Sequence, residues 1–111
     1  MLISKIFKFD AAHKLPGYNG KCKDLHGHTW KLIVAVEGEV KEDGMVRDFR
    51  EIKQIVNGKI IDKLDHGYLN EIIENPTTEN ILLWIKKELD IEGLRKLTLY
   101  ETEDCFAELI L

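Results

Sequence analysis

Two stretches of the chain alternate between apolar and polar residues with a period of two, which is the pattern of half-buried β-strands. In residues 2–13 one face is formed by Phe7, Phe9, Ala11 and His13. In residues 26–36 one face is formed by His26, His28, Trp30, Leu32, Val34 and Val36. The pattern predicts two strands, and a hairpin between them would bring three histidines together.

Two later stretches repeat apolar residues at helical spacing. The first helix is predicted over residues 48–63, with Asp48 as its N-cap, Glu51 three residues later and Gly58 inside it. Its apolar stripe comprises Phe49, Ile52, Val56, Ile60 and Leu64. The second helix is predicted to start near Asn75-Pro76-Thr77-Thr78, with Pro76 in its first turn, and to end before Gly93. Its stripe comprises Ile81, Leu82, Ile85 and Leu89.

The last segment alternates again and predicts a C-terminal hairpin. One face of its first strand is formed by Leu97, Leu99 and Glu101. A turn at Glu103-Asp104 leads to the second strand, in which Cys105 is in phase with the apolar residues and is expected to pack in the core.

The predicted element order is β-β-α-α-β-β, which defines a single α+β domain over residues 1–111. We expect a four-stranded, mainly antiparallel sheet with both helices on one face. Because exposed edge strands in so small a domain invite further pairing, we also expect an oligomer that continues the sheet between subunits.

Composition excludes several classes of protein. The 111 residues are 44% hydrophobic and 32% charged, so the chain has the composition of a globular domain. Sixteen basic and 20 acidic residues give a formal net charge of −4, which argues against a surface that coats nucleic acid. Apolar runs are too short for a membrane span, and Lys5 and Lys8 interrupt the first one, so we expect a cytoplasmic protein with reduced thiols.

His13, His26 and His28 are the first candidate site. Three neutral imidazoles form a complete protein ligand set for catalytic zinc and leave the fourth position open. Each could instead be an ordinary half-buried histidine with a hydrogen bond. A third arrangement is a structural zinc closed by Cys22, which is near enough to reach the metal.

Three further positions could carry chemistry. Cys22 lies between Lys21 and Lys23, and positive surroundings favour a reactive thiolate, although it could also have no role. Asp65-His66 pairs a carboxylate with an imidazole, the usual equipment for proton transfer, but it could be a surface turn.

Glu101 extends an apolar strand face, and a buried carboxylate needs a partner. A heterocycle with an amino-imine edge would provide two parallel N–H donors for it. The alternative is that the strand has ended and the carboxylate is solvated.

Taken together, these positions resemble the 6-pyruvoyl-tetrahydropterin synthase family. The resemblance rests on five motifs in the family's order: Phe9-Asp-Ala-Ala-His13, Cys22-Lys-Asp-Leu-His26-Gly-His28, Leu64-Asp65-His66, Asn75-Pro-Thr-Thr-Glu79-Asn80 and Tyr100-Glu101-Thr102. The spacing from Cys22 to His26 looks like that of the 6-carboxytetrahydropterin synthase branch, which serves queuosine and other deazapurine pathways.

The resemblance implies the tunnelling fold, in which three subunits close a twelve-stranded barrel and two trimers form a homohexamer. It implies a zinc-dependent lyase that converts 7,8-dihydroneopterin triphosphate to 6-carboxy-5,6,7,8-tetrahydropterin. His13, His26 and His28 would hold the zinc. Cys22, Asp65 and His66 would transfer protons.

By the same resemblance, Glu101 would anchor the pterin, with Thr77 and Thr78 in a pocket at a subunit interface. Lys14, Lys21 and Lys23 are the candidates for contacts with the triphosphate. Rival interpretations are a pyruvoyl-forming or folate-branch sibling, a non-catalytic zinc- or pterin-binding module, and a generic zinc hydrolase.

Overall fold

The computed structural model describes residues 1–17, 20 and 24–111 of the chain. Strands β1 (Leu2–His13) and β2 (His26–Glu37) pair antiparallel along their whole length. This register places His13 directly opposite His26 at one end of the pair. The predicted hairpin is confirmed, and it carries the candidate metal ligands at its end.

The remaining strands complete one mixed sheet. A two-residue strand, β3 (Gly67–Tyr68), pairs parallel to β1, and β4 (Leu94–Thr102) and β5 (Cys105–Ile110) form the C-terminal hairpin. The strand order is β3-β1-β2-β4-β5. The α+β class and the antiparallel four-stranded core are confirmed.

The short parallel strand β3 is an addition to the predicted sheet, because two residues are too few to show a period. Beyond its end, the side chain of Asn70 continues the pairing with β1. The Lys14 N–H donates to Asn70 Oδ1 at 3.0 Å, and Asn70 Nδ2 donates to the Lys14 carbonyl at 2.8 Å.

The first predicted helix is interrupted. It consists of α1 (Phe49–Val56), a π-helical segment (Asn57–Ile61) that contains Gly58, and α2 (Asp62–Leu64). Asp48 is its N-cap, as predicted, and accepts a hydrogen bond from the Arg50 N–H at 2.9 Å. The wider π turn adds a residue, and it brings Leu64 into the core just before Asp65 leaves the helix.

The second helix, α3 (Thr78–Glu88), starts at the last residue of the Asn75-Pro76-Thr77-Thr78 segment, later than predicted. Thr77 is the N-cap, and its hydroxyl oxygen accepts a hydrogen bond from the Asn80 N–H at 3.1 Å. Pro76 therefore precedes the cap, and its predicted place in the first turn is wrong. A hydroxyl cap accepts a hydrogen bond from one of the free N–H groups of the first turn. The helix therefore begins after Thr77, and the position of the proline does not determine its start.

The core lies between the sheet and the helices. Trp30, Leu32, Leu97 and Leu99 on the sheet are fully buried against Ile52, Ile60 and Ile81. Cys105 is exposed at the start of β5, so its predicted core packing is wrong. It pairs with Thr102 next to the turn, after a register shift in the β4–β5 pairing that breaks the regular alternation. Among the described residues, no helix has the length and apolar character needed to cross a membrane.

Gly93 occupies the turn before β4 with a φ of 82°, and a Cβ there would lie 2.5 Å from the Glu37 carbonyl oxygen. We expect Gly93→Ala to lower the free energy of unfolding by about 3 kcal/mol, because the clash adds to the backbone strain. Gly44 is the matched control, since its φ is 84° and a Cβ would contact nothing within 4 Å. Gly44→Ala should cost only about 1 kcal/mol. Urea denaturation at one protein concentration compares the two, and equal costs would show that the contact with Glu37 has no effect.

Candidate metal and substrate site

His13 is the last residue of β1 and is fully buried. Its Nδ1 lies 2.8 Å from the carbonyl oxygen of Pro76, in the loop before α3. A carbonyl can only accept, so Nδ1 carries the proton and Nε2 presents a lone pair. A backbone carbonyl that orients the second nitrogen in this way is typical of a metal-ligating histidine.

His26 has the same arrangement at the start of β2. Its Nδ1 donates to the Asp24 carbonyl at 2.7 Å, and its Nε2 lies 3.1 Å from Nε2 of His13. In the neutral rings, two lone pairs therefore face each other at hydrogen-bond distance. A cation between them removes this repulsion, and a metal ion bound by both nitrogens fits the donor set.

His28 supplies the third nitrogen. Its Nε2 is buried and has no hydrogen-bond partner within the described part of the chain, although Glu101 Oε1 lies 3.5 Å away. Burial is the largest influence on the pKa of His28 and lowers it. The Glu101 carboxylate raises the pKa by less than burial lowers it, and His26 and His13 lower it further. The ring is therefore neutral near pH 7, which is the form that binds metals.

The three histidines thus converge as the sequence predicted. One nitrogen from each lies within 4.8 Å of the others. The Trp30 ring packs edge-on against His13 and His28, at centroid distances of 5.1 and 5.4 Å. The apolar Trp30 ring limits the movement of these two imidazoles. The unpartnered Nε2 of His28 and the Nε2 lone pairs of His13 and His26 together fit a metal ion such as zinc.

Glu101 lies beside this cluster near the end of β4. Its side chain is 23% exposed, and its Oε2 accepts a hydrogen bond from the Thr78 hydroxyl at 3.0 Å. Thr78 is at the N-terminus of α3, so the helix start orients the carboxylate. Thr77 faces the helix as its cap, so Thr78 is the threonine that contacts Glu101.

Asp65 and His66 are in contact. Asp65 Oδ2 lies 3.1 Å from His66 Nδ1, and Asp65 Oδ1 accepts from the Asp10 N–H at 2.9 Å. The His66 N–H donates to the Asp10 carbonyl at 2.7 Å, and His66 has a φ of 58°. His66 is 81% exposed in the single chain, so its ring is free to meet a ligand or a second subunit.

An open cleft of about 470 Å³ joins the two groups of residues. Its lining includes His28 on one side and His66 on the other, together with Asp10, Gly27 and Thr29. The sequence did not indicate Asp10 and Thr29 as site residues, because the period-two pattern only places them on the outer face of the sheet. The register of the hairpin puts them directly opposite each other, and that register could have indicated the pair.

Cys22, Lys21 and Lys23 lie outside the described residues. Lys14 is exposed directly after His13, and its backbone is held by Asn70.

The fold and the site define a class: an α+β protein of the tunnelling fold with a cluster of three histidines that can hold a metal. Residues 2–110 match the family model described as 6-pyruvoyl tetrahydropterin synthase. The chain belongs to this family. The expected resemblance and fold are confirmed.

Two relatives cover nearly the whole chain. A protein of Archaeoglobus fulgidus, named provisionally as a 6-carboxy-5,6,7,8-tetrahydropterin synthase, is 48% identical over 111 residues, or 98% of this chain and 95% of that protein. The dihydroneopterin monophosphate aldolase of Pyrococcus furiosus is 44% identical over 106 residues, or 91% of this chain and 90% of that protein.

A solved structure shows the same fold. The 6-pyruvoyl tetrahydropterin synthase of Caenorhabditis elegans superposes with a TM-score of 0.86 at 26% identity, covering 99% of this chain and 94% of that one. The chain is therefore related to pterin enzymes by sequence and by structure.

Proposed function

We propose that the protein is a zinc-dependent 6-carboxy-5,6,7,8-tetrahydropterin synthase. This lyase converts 7,8-dihydroneopterin triphosphate to 6-carboxy-5,6,7,8-tetrahydropterin, with loss of acetaldehyde and triphosphate. The observation that carries the proposal is the position of the Glu101 carboxylate, which is half-buried and 3.5 Å from the unpartnered nitrogen of His28. An anchor for an amino-imine edge thus lies directly beside the metal cluster.

His13, His26 and His28 would hold the zinc through Nε2. When bound, zinc supplies Lewis-acid chemistry that acidifies hydroxyl groups of the substrate side chain. The carbonyls of Pro76 and Asp24 keep two of the rings in the ligating tautomer.

Asp65 and His66 transfer a proton in this proposal. Asp65 holds the Nδ1 proton of His66, which leaves Nε2 to accept or donate a proton at the substrate. Cys22 serves as the thiolate base on another face of the substrate, in keeping with the family's motif.

Glu101 binds the amino-pyrimidine edge of the pterin. Thr78 fixes the carboxylate through its hydroxyl. Thr77, which caps α3, would line the pterin pocket beside it. Lys14, Lys21 and Lys23 follow the first metal ligand in the chain and contact the triphosphate.

The assembly in this proposal is a homohexamer of two trimers in the cytoplasm, in a queuosine or other deazapurine pathway. The open sheet supports the assembly, because β5 is the last strand of the sheet in the described part of the chain and carries exposed Phe106 and Ile110. Completion of the sheet by a neighbouring subunit would cover this edge.

Product analysis tests the activity. The zinc-loaded protein is incubated with 7,8-dihydroneopterin triphosphate, and the products are identified by mass spectrometry beside the Cys22→Ala variant. We expect 6-carboxytetrahydropterin and acetaldehyde, which the variant fails to produce although it keeps its zinc. Pyruvoyltetrahydropterin would assign the protein to the sibling reaction, and loss of zinc in the variant would support a closed structural site with Cys22 as the fourth ligand.

A second candidate is the folate-branch sibling, a dihydroneopterin monophosphate aldolase, which the 44% identity to the Pyrococcus furiosus enzyme favours. Both reactions act on the side chain of a dihydropterin, so a pterin anchor beside a candidate metal site is compatible with either. Incubation with dihydroneopterin monophosphate separates them. Cleavage of this substrate at a higher kcat/KM than that of the triphosphate would replace the carboxytetrahydropterin proposal.

A further inference from the structure

The carbonyl that orients His13 belongs to a short turn before α3. His13 Nδ1 donates to the Pro76 carbonyl at 2.8 Å, and Pro76 is buried. The N–H of the same peptide group, which belongs to Thr77, points the opposite way and donates to the Asn75 carbonyl at 2.8 Å. This peptide group is therefore held on both sides, by His13 and by Asn75.

The residue types at this turn suit its backbone conformation. A hydrogen bond from the third residue back to the first closes a γ-turn, and the φ of proline, near −65°, is close to that of the central residue of its common form. Asn75 has a φ of 50°, in the left-handed region that asparagine enters more readily than most residues. The Asn75-Pro76 sequence thus favours the conformation that presents the Pro76 carbonyl to His13.

Asn80 holds this turn from the first turn of α3. Its side-chain Nδ2 donates to the Asn75 carbonyl at 2.9 Å, so this one oxygen accepts from Asn80 and from the Thr77 N–H. The backbone N–H of Asn80 is used separately, since it donates to the Thr77 hydroxyl at 3.1 Å. Asn75 is exposed, so water would compete for its carbonyl if the Asn80 side chain did not bind there.

We propose that Asn80 is a positioning residue for the metal cluster, which acts through the Asn75 carbonyl to hold the Pro76 carbonyl on Nδ1 of His13. His13 then keeps its proton on Nδ1 and its Nε2 lone pair in place before a metal arrives. Less ordering is left for the binding step, so the affinity for the metal is higher. The proposal rests on the proposed zinc site for this effect on affinity.

Asn80→Asp is the sharpest test, because aspartate has the size of asparagine but no N–H donor. A carboxylate in the first turn of α3 is favourable for the helix, and this offsets the lost hydrogen bond in the fold. The added negative charge favours a bound cation, whereas release of the Pro76 carbonyl weakens its binding, so the two effects have opposite signs. We expect the zinc affinity of the metal-free protein, measured by competition with a chelator, to fall about tenfold in Asn80→Asp and in Asn80→Ala.

Glu74→Gln is the matched control, because Glu74 is exposed directly before Asn75. This substitution changes the charge of the same loop and leaves the Asn80 donor in place. We expect it to bind zinc within about twofold of the parent, as for an ordinary surface substitution. The thermal unfolding midpoint of the metal-free protein should be the same for the parent, Asn80→Asp and Glu74→Gln, which separates weaker metal binding from a weaker fold.

A spectroscopic readout needs no metal, because the ¹⁵N shifts of an imidazole show which of its nitrogens carries the proton. We expect His13 to be in the Nδ1–H form in the parent and in Glu74→Gln. In Asn80→Asp and Asn80→Ala we expect a mixture with the Nε2–H form. His26 is the internal reference, since its Nδ1 donates to the Asp24 carbonyl, outside this turn, and it should keep the Nδ1–H form in every variant.

Three results would overturn the proposal. In the first, Asn80→Asp binds zinc as tightly as the parent or more tightly, which would show that charge decides the affinity. In the second, the unfolding midpoint of Asn80→Asp falls together with its zinc affinity, which would show a structural role. In the third, His13 keeps its Nδ1 proton in both variants of Asn80. A parent protein that binds no zinc would contradict the proposed function instead, and the His13 resonance would still decide whether Asn80 positions the ring.

Discussion

Replacing His26 with alanine is expected to abolish metal binding and to lower turnover about a thousandfold. Two imidazoles then remain where a catalytic zinc needs three protein ligands, and the several kcal/mol of transition-state stabilisation that the metal supplies are lost. His26 is the suitable ligand for this test because it is half-buried at the start of β2, whereas His13 is fully buried and supports the fold. The zinc content measured after dialysis should fall from one zinc per chain to none.

The matched control for this prediction is His66→Ala, which removes the histidine outside the cluster. We expect it to keep its zinc while it loses turnover, because its ring lies on the far side of the cleft. Full zinc content in His26→Ala would contradict the three-histidine site. Zinc loss in both variants would show instead that histidine substitutions destabilise the fold, which circular dichroism would reveal.

The metal cluster could be predicted from the sequence because the period of a strand is short and regular. His26 and His28 share a face whenever they lie in one strand, and the hairpin then places His13 beside them. The sequence could not show that the Nδ1 atoms of His13 and His26 donate to carbonyl oxygens. Those carbonyls belong to Pro76 and Asp24, and the Pro76 loop meets His13 only after the chain has folded.

The Asp65–His66 contact was harder to predict for a different reason. Adjacent residues usually point apart, and here the left-handed backbone of His66 turns its ring back onto the Asp65 carboxylate. The π-helical segment before Leu64 also shifts the phase with which the chain leaves the helix. The strand that follows directly, β3, has only two residues and is too short to be recognised from a periodic pattern.

Glu101 shows how an apolar pattern can indicate function. Leu97 and Leu99 are fully buried on the same face of β4, and Glu101 continues this face toward the histidines, where its side chain is still largely covered. A strand face that keeps a carboxylate next to its core must compensate for the lost hydration. In this chain Thr78 compensates in part, and we infer that the substrate supplies the remaining donors.

Replacing Glu101 with glutamine is therefore expected to lower kcat/KM about a hundredfold or more. Glutamine has nearly the same size and can still accept from the Thr78 hydroxyl, so the fold and α3 are preserved. It has one oxygen where glutamate has two, and its NH₂ group opposes an N–H donor of the substrate, so the bidentate charged contact is lost and a buried donor stays unpaired. Steady-state kinetics with the pterin substrate, together with zinc analysis, provide the measurement.

Glu103→Gln is the matched control, because Glu103 is an exposed carboxylate in the turn of the same hairpin. We expect it to leave kcat/KM unchanged within about twofold, as for an ordinary surface substitution. The Glu101→Gln protein should retain its zinc, since the three imidazoles supply the protein ligands without the carboxylate. If it loses zinc, Glu101 is a ligand of the metal, because its Oε1 already lies 3.5 Å from His28 Nε2 and can reach the same ion. If it keeps both zinc and full activity, other residues anchor the pterin.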